Sequence, residues 1–396
     1  MRRRWSRRRD AEAGRGPALP AGRIEFPPPG ESIPRTPLIV AGWALGAEGP
    51  PSEVVVLVDG RPTRARVGAA RRDDLVAAYP QTPGAEAAGW DAIVDVRGVA
   101  GPEVTVTVVA RTGEGWTELD RRELRSDLPA TSGDRRRAVF TISRNEAAFL
   151  PIWLRYYRRH FDPVDIYVLD NDTADGSTDG LEGTCNVVPV HRAENPEGGG
   201  ASLLVWLVGT VEDFQAFLLR SYDAVLFAEV DELIVPDPRS YRGLGDYIDG
   251  LEGPAACCTG YNVVHDPDEE PPLRFDEPVL RQRRYWQLSP RWYSKRVLGR
   301  IPLSWNVGFH DEYNAPGVEP DPELLLIHLH RVDYEYCQAR HRASASREWP
   351  EDDLRFNLSW HQRIAEPEEF RDWFFRGEDL EGTPREEIPE RIREVV

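Results

Sequence analysis

Residues 224–236 read AVLFAEVDELIVP, and no other stretch constrains the fold as strongly. Two apolar runs flank three carboxylates, Glu229, Asp231 and Glu232, and Pro236 closes the second run. Apolar runs this short, bounded by charge and proline, predict strands buried on both faces. Acids set between such strands are costly to bury unless a cation meets them. A hard divalent ion, Mg²⁺ or Mn²⁺, prefers oxygen ligands and is a natural counter-charge. The other reading is a strand end whose acids simply reach water. The rest of the chain decides between the two.

A chain of 396 residues has room for two or three domains with cores of their own. The net charge of −18 argues against general affinity for nucleic acid, because phosphate binding needs a positive surface. Four cysteines, Cys185, Cys257, Cys258 and Cys337, show no CxxC spacing, which fits a reduced, cytoplasmic setting. No apolar run approaches the ~18–20 residues that span a bilayer. The opening MRRRWSRRRD is basic but lacks the apolar segment of a signal peptide. Residues 1–22 are therefore expected to be a disordered tail, with weak contact at the inner face of a membrane as the lesser reading. Lys295 is the single lysine among 49 Lys and Arg residues. That exception marks either a place where a compact ammonium is wanted, or chance.

Taken in order, residues 23–128 predict an all-β sandwich. Val-rich runs such as SEVVVLVDG and EVTVTVVAR alternate apolar with polar and are separated by Gly, Pro and Asp turns. Trp43 and Trp90 there are expected to be core. A polar linker follows at 129–137, and then the period changes. A strand at 138–142 leads to Ser143, Asn145 and Glu146; helical spacing begins at Phe149; a second strand at 165–169 ends in Asp170 and Asp172. A third strand, at 187–190, and a long helix, at 202–219, precede the acidic stretch. Strands alternating with helices predict an α/β layer on a mostly parallel sheet over 138–346. Ligands of such sheets sit at the carboxyl ends of the strands. The acids after all three strands would meet in one crevice there. Residues 347–396 are expected to form a helical, acidic extension, with FRDWFF packing over the domain and a peripheral tail from Arg376.

The series RNEAAFLPIWLRYY, IYVLDNDTADGSTDG and VLFAEVDELIV resembles the nucleotide-sugar glycosyltransferases of the family 2 type, with a GT-A fold, in the branch related to family 92. The sandwich resembles, more loosely, the immunoglobulin-like domains that accompany sugar-transferring enzymes. The resemblance implies that Ser143, Asn145, Glu146, Asp170 and Asp172 line the nucleotide pocket. It makes Asp231 the metal-binding acid of a D-x-D-like motif. Glu229 stands where the family has aspartate, so its contact to metal or ribose is displaced by its longer reach. The segments VGFHD and LLIHLHRVD resemble the family's C-terminal metal and substrate segments, with His310, His328 and His330 as candidate ligands. His328 and His330, two apart on a strand, would share one face. His265 is a candidate on the acceptor side. Lys295 is the candidate for the departing diphosphate, ahead of Arg296 and Arg331.

The implied chemistry is transfer of a sugar from a nucleoside-diphosphate sugar to a glycan, polysaccharide or other hydroxyl acceptor, with inversion. An Mn²⁺ or Mg²⁺ ion stabilises the leaving diphosphate. Asp311 is the first choice as base for the acceptor proton, with Glu312 and Asp266 as rivals. A nucleotidyltransferase would need a Gly-rich basic loop after the first strand, where this chain has Ser143–Glu146. An inactive sugar-binding scaffold would not need the full acid set. A zinc hydrolase would need a different histidine spacing.

Overall fold

The computed structural model describes residues 20–395 except 31, 34–36, 69–70, 97–98, 100–101, 113–114, 126–134, 191–201 and 316. Most of the expected basic tail and of the linker lie outside the described residues; Ala21 and Gly22, at the tail's expected end, belong to the first strand. The chain divides into two compact units, one made of the strands up to Arg125 and one of the strands from Arg135 onward.

The first unit holds β1 (Ala21–Phe26), β2 (Pro37–Leu45), β3 (Val54–Val58), β4 (Arg61–Arg64), β5 (Arg66–Val67), α1 (Asp73–Ala78), β6 (Gly89–Asp95), β7 (Glu103–Thr112) and β8 (Gly115–Arg125). They form two four-stranded sheets, ordered β1-β2-β6-β5 and β4-β3-β7-β8. The two-residue period decides which face is buried. Val54, Val56 and Val58 on β3, and Val104, Val106 and Val108 on β7, are all inside. Asp59 and Gly60 both have positive φ, the conformation a two-residue hairpin needs to join β3 to β4. Trp43 and Trp90 are core residues, as expected.

The second unit runs β9 (Arg135–Ser143), α2 (Phe149–Tyr157), β10 (Ile166–Asp170), β11 (Asn186–Pro189), α3 (Leu203–Leu218), β12 (Tyr222–Phe227), β13 (Glu232–Pro236), α4 (Leu244–Asp249), β14 (Ala255–Val263), β15 (Tyr285–Leu288), β16 (Arg296–Gly299), β17 (Pro320–His328), α5 (Tyr334–Ser346), α6 (Glu351–Arg355), α7 (Pro367–Arg376), β18 (Arg385–Glu387) and α8 (Glu390–Arg393). The strands form one ten-stranded mixed sheet. Its parallel half is β11-β10-β9-β12, with Asp170 level with Ser143 and Phe227 with Phe140. The carboxyl ends of these strands therefore open on one edge.

Two expectations are corrected here. The sheet is not mostly parallel: beyond β12 it continues through β16, β14, β15 and β18 in antiparallel pairs, and β17 is antiparallel to β13 though parallel to β14. Parallel neighbours need a crossover, usually helical, and no α-helix lies between β14, β15 and β16. The residues after Arg376 are not a loose tail either. β18 pairs with β15, and Ile388 and Ile392 join the main core. Backbone pairing and two well-spaced isoleucines outweigh the charge of that segment. In α7, Phe370 and Phe374 are buried and Trp373 packs beside them, so FRDWFF packs as expected.

The acid-bearing turn is fixed from both sides. β13 pairs with β17 along one edge. On its other side the Tyr156 hydroxyl donates to the Ile234 carbonyl at 2.7 Å, and the Tyr157 hydroxyl accepts from the Ile234 N–H at 3.0 Å. Two tyrosines of α2 thus satisfy backbone groups that would otherwise be buried unpaired.

Candidate metal and nucleotide site

Asp231 lies between β12 and β13, 8% exposed, where the two strands hand over at the carboxyl edge of the parallel half. Its Oδ2 is 3.9 Å from Nε2 of His328 and 3.6 Å from Nδ1 of His330. These three side chains form one of two groups, among the described residues, whose ligand atoms lie close enough to share an ion. His328 ends β17, whereas His330 lies beyond the strand, in the turn before α5. The two rings are brought together by that turn, at 5.6 Å between centroids, and not by strand alternation.

The proton positions suit a cation. His328 Nδ1 is 2.6 Å from Asn262 Oδ1, while Asn262 Nδ2 donates to Asp379 at 3.2 Å. Asp379 is in turn clamped by Arg331. With Asn262 so oriented, His328 must donate from Nδ1, leaving the Nε2 lone pair on the Asp231 side. Burial holds both imidazoles far below their ordinary range, so they stay neutral, and it pushes the Asp231 carboxyl up. A buried acid facing two neutral nitrogen donors fits a divalent ion. The nitrogen-rich donor set suits Mn²⁺ better than Mg²⁺. Tyr293 stacks on His328 at 4.0 Å and fixes the plane of its ring.

Arg340, which the sequence reading passed over, supplies the nearest positive charge. Its guanidinium reaches from α5 to Glu146 at 2.7 Å and to Asp231 at 3.5 Å. Nη1 is buried and makes no hydrogen bond. Glu146 is pushed up to about 7, first by burial and then against the pull of Arg340. One arginine thus links the first acid-bearing strand end to the third.

The second strand end belongs to the same edge. Asn145 and Asp172 both take left-handed φ, 58° and 54°, a conformation their short polar side chains tolerate. Asn145 Oδ1 accepts from the Ala174 and Asp175 N–H groups, and the Glu146 N–H donates to Ser177 Oγ. Asp170 accepts from the Thr173 N–H at 2.9 Å and from the Thr178 hydroxyl at 3.0 Å. The loop 171–179 is therefore tied to Asn145 and Glu146 above it and to Asp170 below. The Ser143 hydroxyl, at the end of β9, is buried without a partner.

Glu229 and Lys295 sit together, the ammonium 5.7 Å over the Tyr293 ring that also stacks on His328. Lys295 is 1% exposed, and its ammonium lies 2.8 Å from Glu229 and 2.7 Å from Glu232. Burial works to lower the lysine, but the two carboxylates raise it above its usual range. Burial pushes Glu232 up to about 8, against the attraction of Lys295. The single lysine of the chain is thus the counter-charge of the acidic turn. A point charge with three donors suits two acids on different bearings better than a planar fork does.

The remaining candidates are not members of the three-ligand group. His310 bonds the Trp292 carbonyl through Nδ1 at 2.8 Å and packs edge-on against Tyr293. Asp311 is exposed, with Oδ2 accepting from Asn306 at 3.0 Å. Glu312 caps its own turn through the Asn314 and Ala315 N–H groups. Asp266 pairs with Arg385 at 2.7 Å. His265 accepts from the Tyr334 N–H and faces the Glu270 carbonyl, so one nitrogen serves the start of α5 and the other the turn after β14. Asn262 and Arg340 could have been sought on the segments flanking the histidines. Nothing in a neutral amide, or in one arginine among many, singles them out.

No described helix is long and apolar enough to cross a membrane. No family model matches the chain. No curated protein matches it either. Among solved structures, the bifunctional glycosyltransferase WbbM, in its apo form, is similar over 39% of this chain and 28% of its own, at 17% identity and a TM-score of 0.22. A mutant of Kfla1895 in complex with isomaltose is similar over 28% of this chain and 14% of its own, at 12% identity and a TM-score of 0.17. This chain spans less than a third of either protein, and the case for its function rests on the site itself.

Proposed function

We propose that the chain is a metal-dependent glycosyltransferase of the GT-A type, related to families 2 and 92, that moves a sugar from a nucleoside diphosphate to a hydroxyl acceptor with inversion. The observation that carries this reading is the buried Asp231, His328 and His330 group at the carboxyl edge of parallel strands, joined through Arg340 to Glu146. In this reading the first unit is an immunoglobulin-like accessory domain.

Asp231, His328 and His330 would hold the divalent ion, Mn²⁺ by preference. A bound ion supplies positive charge where the leaving diphosphate develops negative charge. Arg340, unsatisfied at Nη1, is a permanent cation beside that place and adds to the same stabilisation. Lys295 contributes by holding Glu229 and Glu232 in position. Asn145, Glu146 and Asp170 shape the nucleotide end of the cleft through the 171–179 loop. Asp311 remains the choice for the base: Asn306 orients one carboxylate oxygen and leaves the other to take the acceptor proton. Its loop adjoins the group through His310, Tyr293 and His328.

Incubation with UDP-, GDP- and dTDP-sugars and Mn²⁺, reading release of nucleoside diphosphate, tests the reading. Wild type is expected to turn over one donor class, and Asp231→Ala to lose on the order of 10³-fold. Equal rates in the two proteins, or no release from any donor, would end it.

A further inference from the structure

The second ligand group lies on the far side of His330 from Asp231, and nothing above assigns it a role. His330 Nε2 is 3.0 Å from His341 Nε2, and the Cys337 sulfur completes a set whose ligand atoms all lie within 4.8 Å of one another. Cys337 and His341 are four residues apart on α5 and share one helix face. The turn that ends β17 brings His330 to that face. The ordinary reading is a core cysteine beside a histidine pair. Cys337 does pack with Val264, Ile364, Phe370, Phe374 and Leu380.

That reading leaves two details unexplained. His341 Nδ1 is buried without a partner. The Ile364 backbone acts on this ring so as to favour a proton, which Nδ1 would keep if Nε2 were turned to an ion. His330 Nδ1 stands 3.6 Å from Asp231, in reach of the carboxylate that would orient it as a ligand through Nε2. The spacing also fits. Two nitrogens bound to one tetrahedral zinc at ~2.0–2.1 Å lie about 3.3 Å apart, a few tenths of an ångström from what is seen.

We infer that His330, Cys337 and His341 form a second cation site, specific for a thiophilic ion such as Zn²⁺. Its sulfur and two nitrogens prefer such an ion, whereas the Asp231 group is closer to Mn²⁺ in character. On binding, the Cys337 thiol releases its proton to solvent and the sulfur takes up the ion. His330 keeps its proton on Nδ1, directed at Asp231. The two sites therefore compete for His330, and filling the second withdraws a ligand from the first. This rests on the proposed function only for what that competition would inhibit.

Co²⁺ titration of the metal-stripped full chain tests the site without any sugar donor. Wild type is expected to show thiolate-to-cobalt charge-transfer absorption saturating at one equivalent, bleached by Zn²⁺ and not by Mg²⁺. Cys337→Ser should abolish the band, and His328→Ala should keep it. No thiolate band in wild type overturns the proposal. A band that survives in Cys337→Ser overturns it as well, since the sulfur would then be Cys185, Cys257 or Cys258. Should Cys337→Ser fail to fold, His341→Gln keeps the sulfur and is expected to weaken Co²⁺ binding by at least about tenfold. Unchanged affinity there contradicts the site. A band without donor turnover refutes the transferase reading alone; turnover without a band refutes this site alone.

Discussion

The two units treat charge in opposite ways. In the first unit, Arg23 pairs with Glu25 and Arg66 with Asp91, all with substantial access to water. Arg72, the one buried charge of that unit among the described residues, bonds Glu25 and Asp74, which are themselves partly exposed. The α/β unit instead buries Asp231, Glu232, Lys295, Arg283, Arg331 and Asp333. Burying an ion costs several kcal/mol even after relaxation, and a buried pair is often no more stable than apolar residues of the same size. A fold that only needed stability would not collect such groups on one sheet edge. That difference is why the proposed function is placed in the second unit, since clustered acids and bases with shifted proton affinities are what binding and catalysis use.

The sharpest break of that comparison is Lys295→Met. It leaves Glu229 and Glu232 facing each other without a cation, and removal of one partner of a buried pair costs about 3–5 kcal/mol. The urea midpoint should fall accordingly, and an unshifted midpoint would show that Lys295 is not the counter-charge of the turn. Next comes Asn262→Ala, which frees His328 to rotate or change tautomer. Supports of this kind are worth roughly 10–100-fold in metal affinity, so Mn²⁺ binding should weaken by that much with little change in fold. Affinity equal to wild type would mean that the Asn262 contact does not orient the ligand.

Acid should act through a partly buried histidine away from the site as well. Burial, with help from Arg159 and Arg137, lowers His160 from 6.5 to about 4. A depressed histidine contributes stability that is present above its unfolded value and is lost as pH falls from about 6.5 through about 4. His160→Gln should flatten the stability profile in that window, and an unchanged profile would remove His160 from the explanation. The smallest effect belongs to the first unit. Arg66→Ala breaks a partly exposed pair and should shift stability by less than about 1 kcal/mol, leaving donor turnover untouched. A larger loss would erase the contrast between the units.

Much of this was legible in the chain itself. The acids after β9, after β10 and between β12 and β13 announced the edge, because apolar strands that end in carboxylates follow a local pattern. His328 and His330 were visible for the same reason. The solitary Lys295 was visible as an exception, but its partners were not, since pairing with Glu229 spans 66 residues. Arg340 was hidden more completely, its bond to Glu146 closing across 194 residues. The antiparallel half of the sheet escaped because its short apolar strands carry no signal of direction. β18 escaped because its exposed side chains, Arg385, Glu386 and Glu387, are all charged and show no apolar alternation.

Asp231 acting as a metal ligand beside two neutral imidazoles is the central claim. Electron paramagnetic resonance of Mn²⁺ added to the stripped protein, which reads the free aqueous ion, measures this directly. Wild type is predicted to remove one equivalent of the free signal, and Asp231→Asn, still folded, to remove none in the same range. Equal uptake by both proteins, or none by either, would contradict the claim.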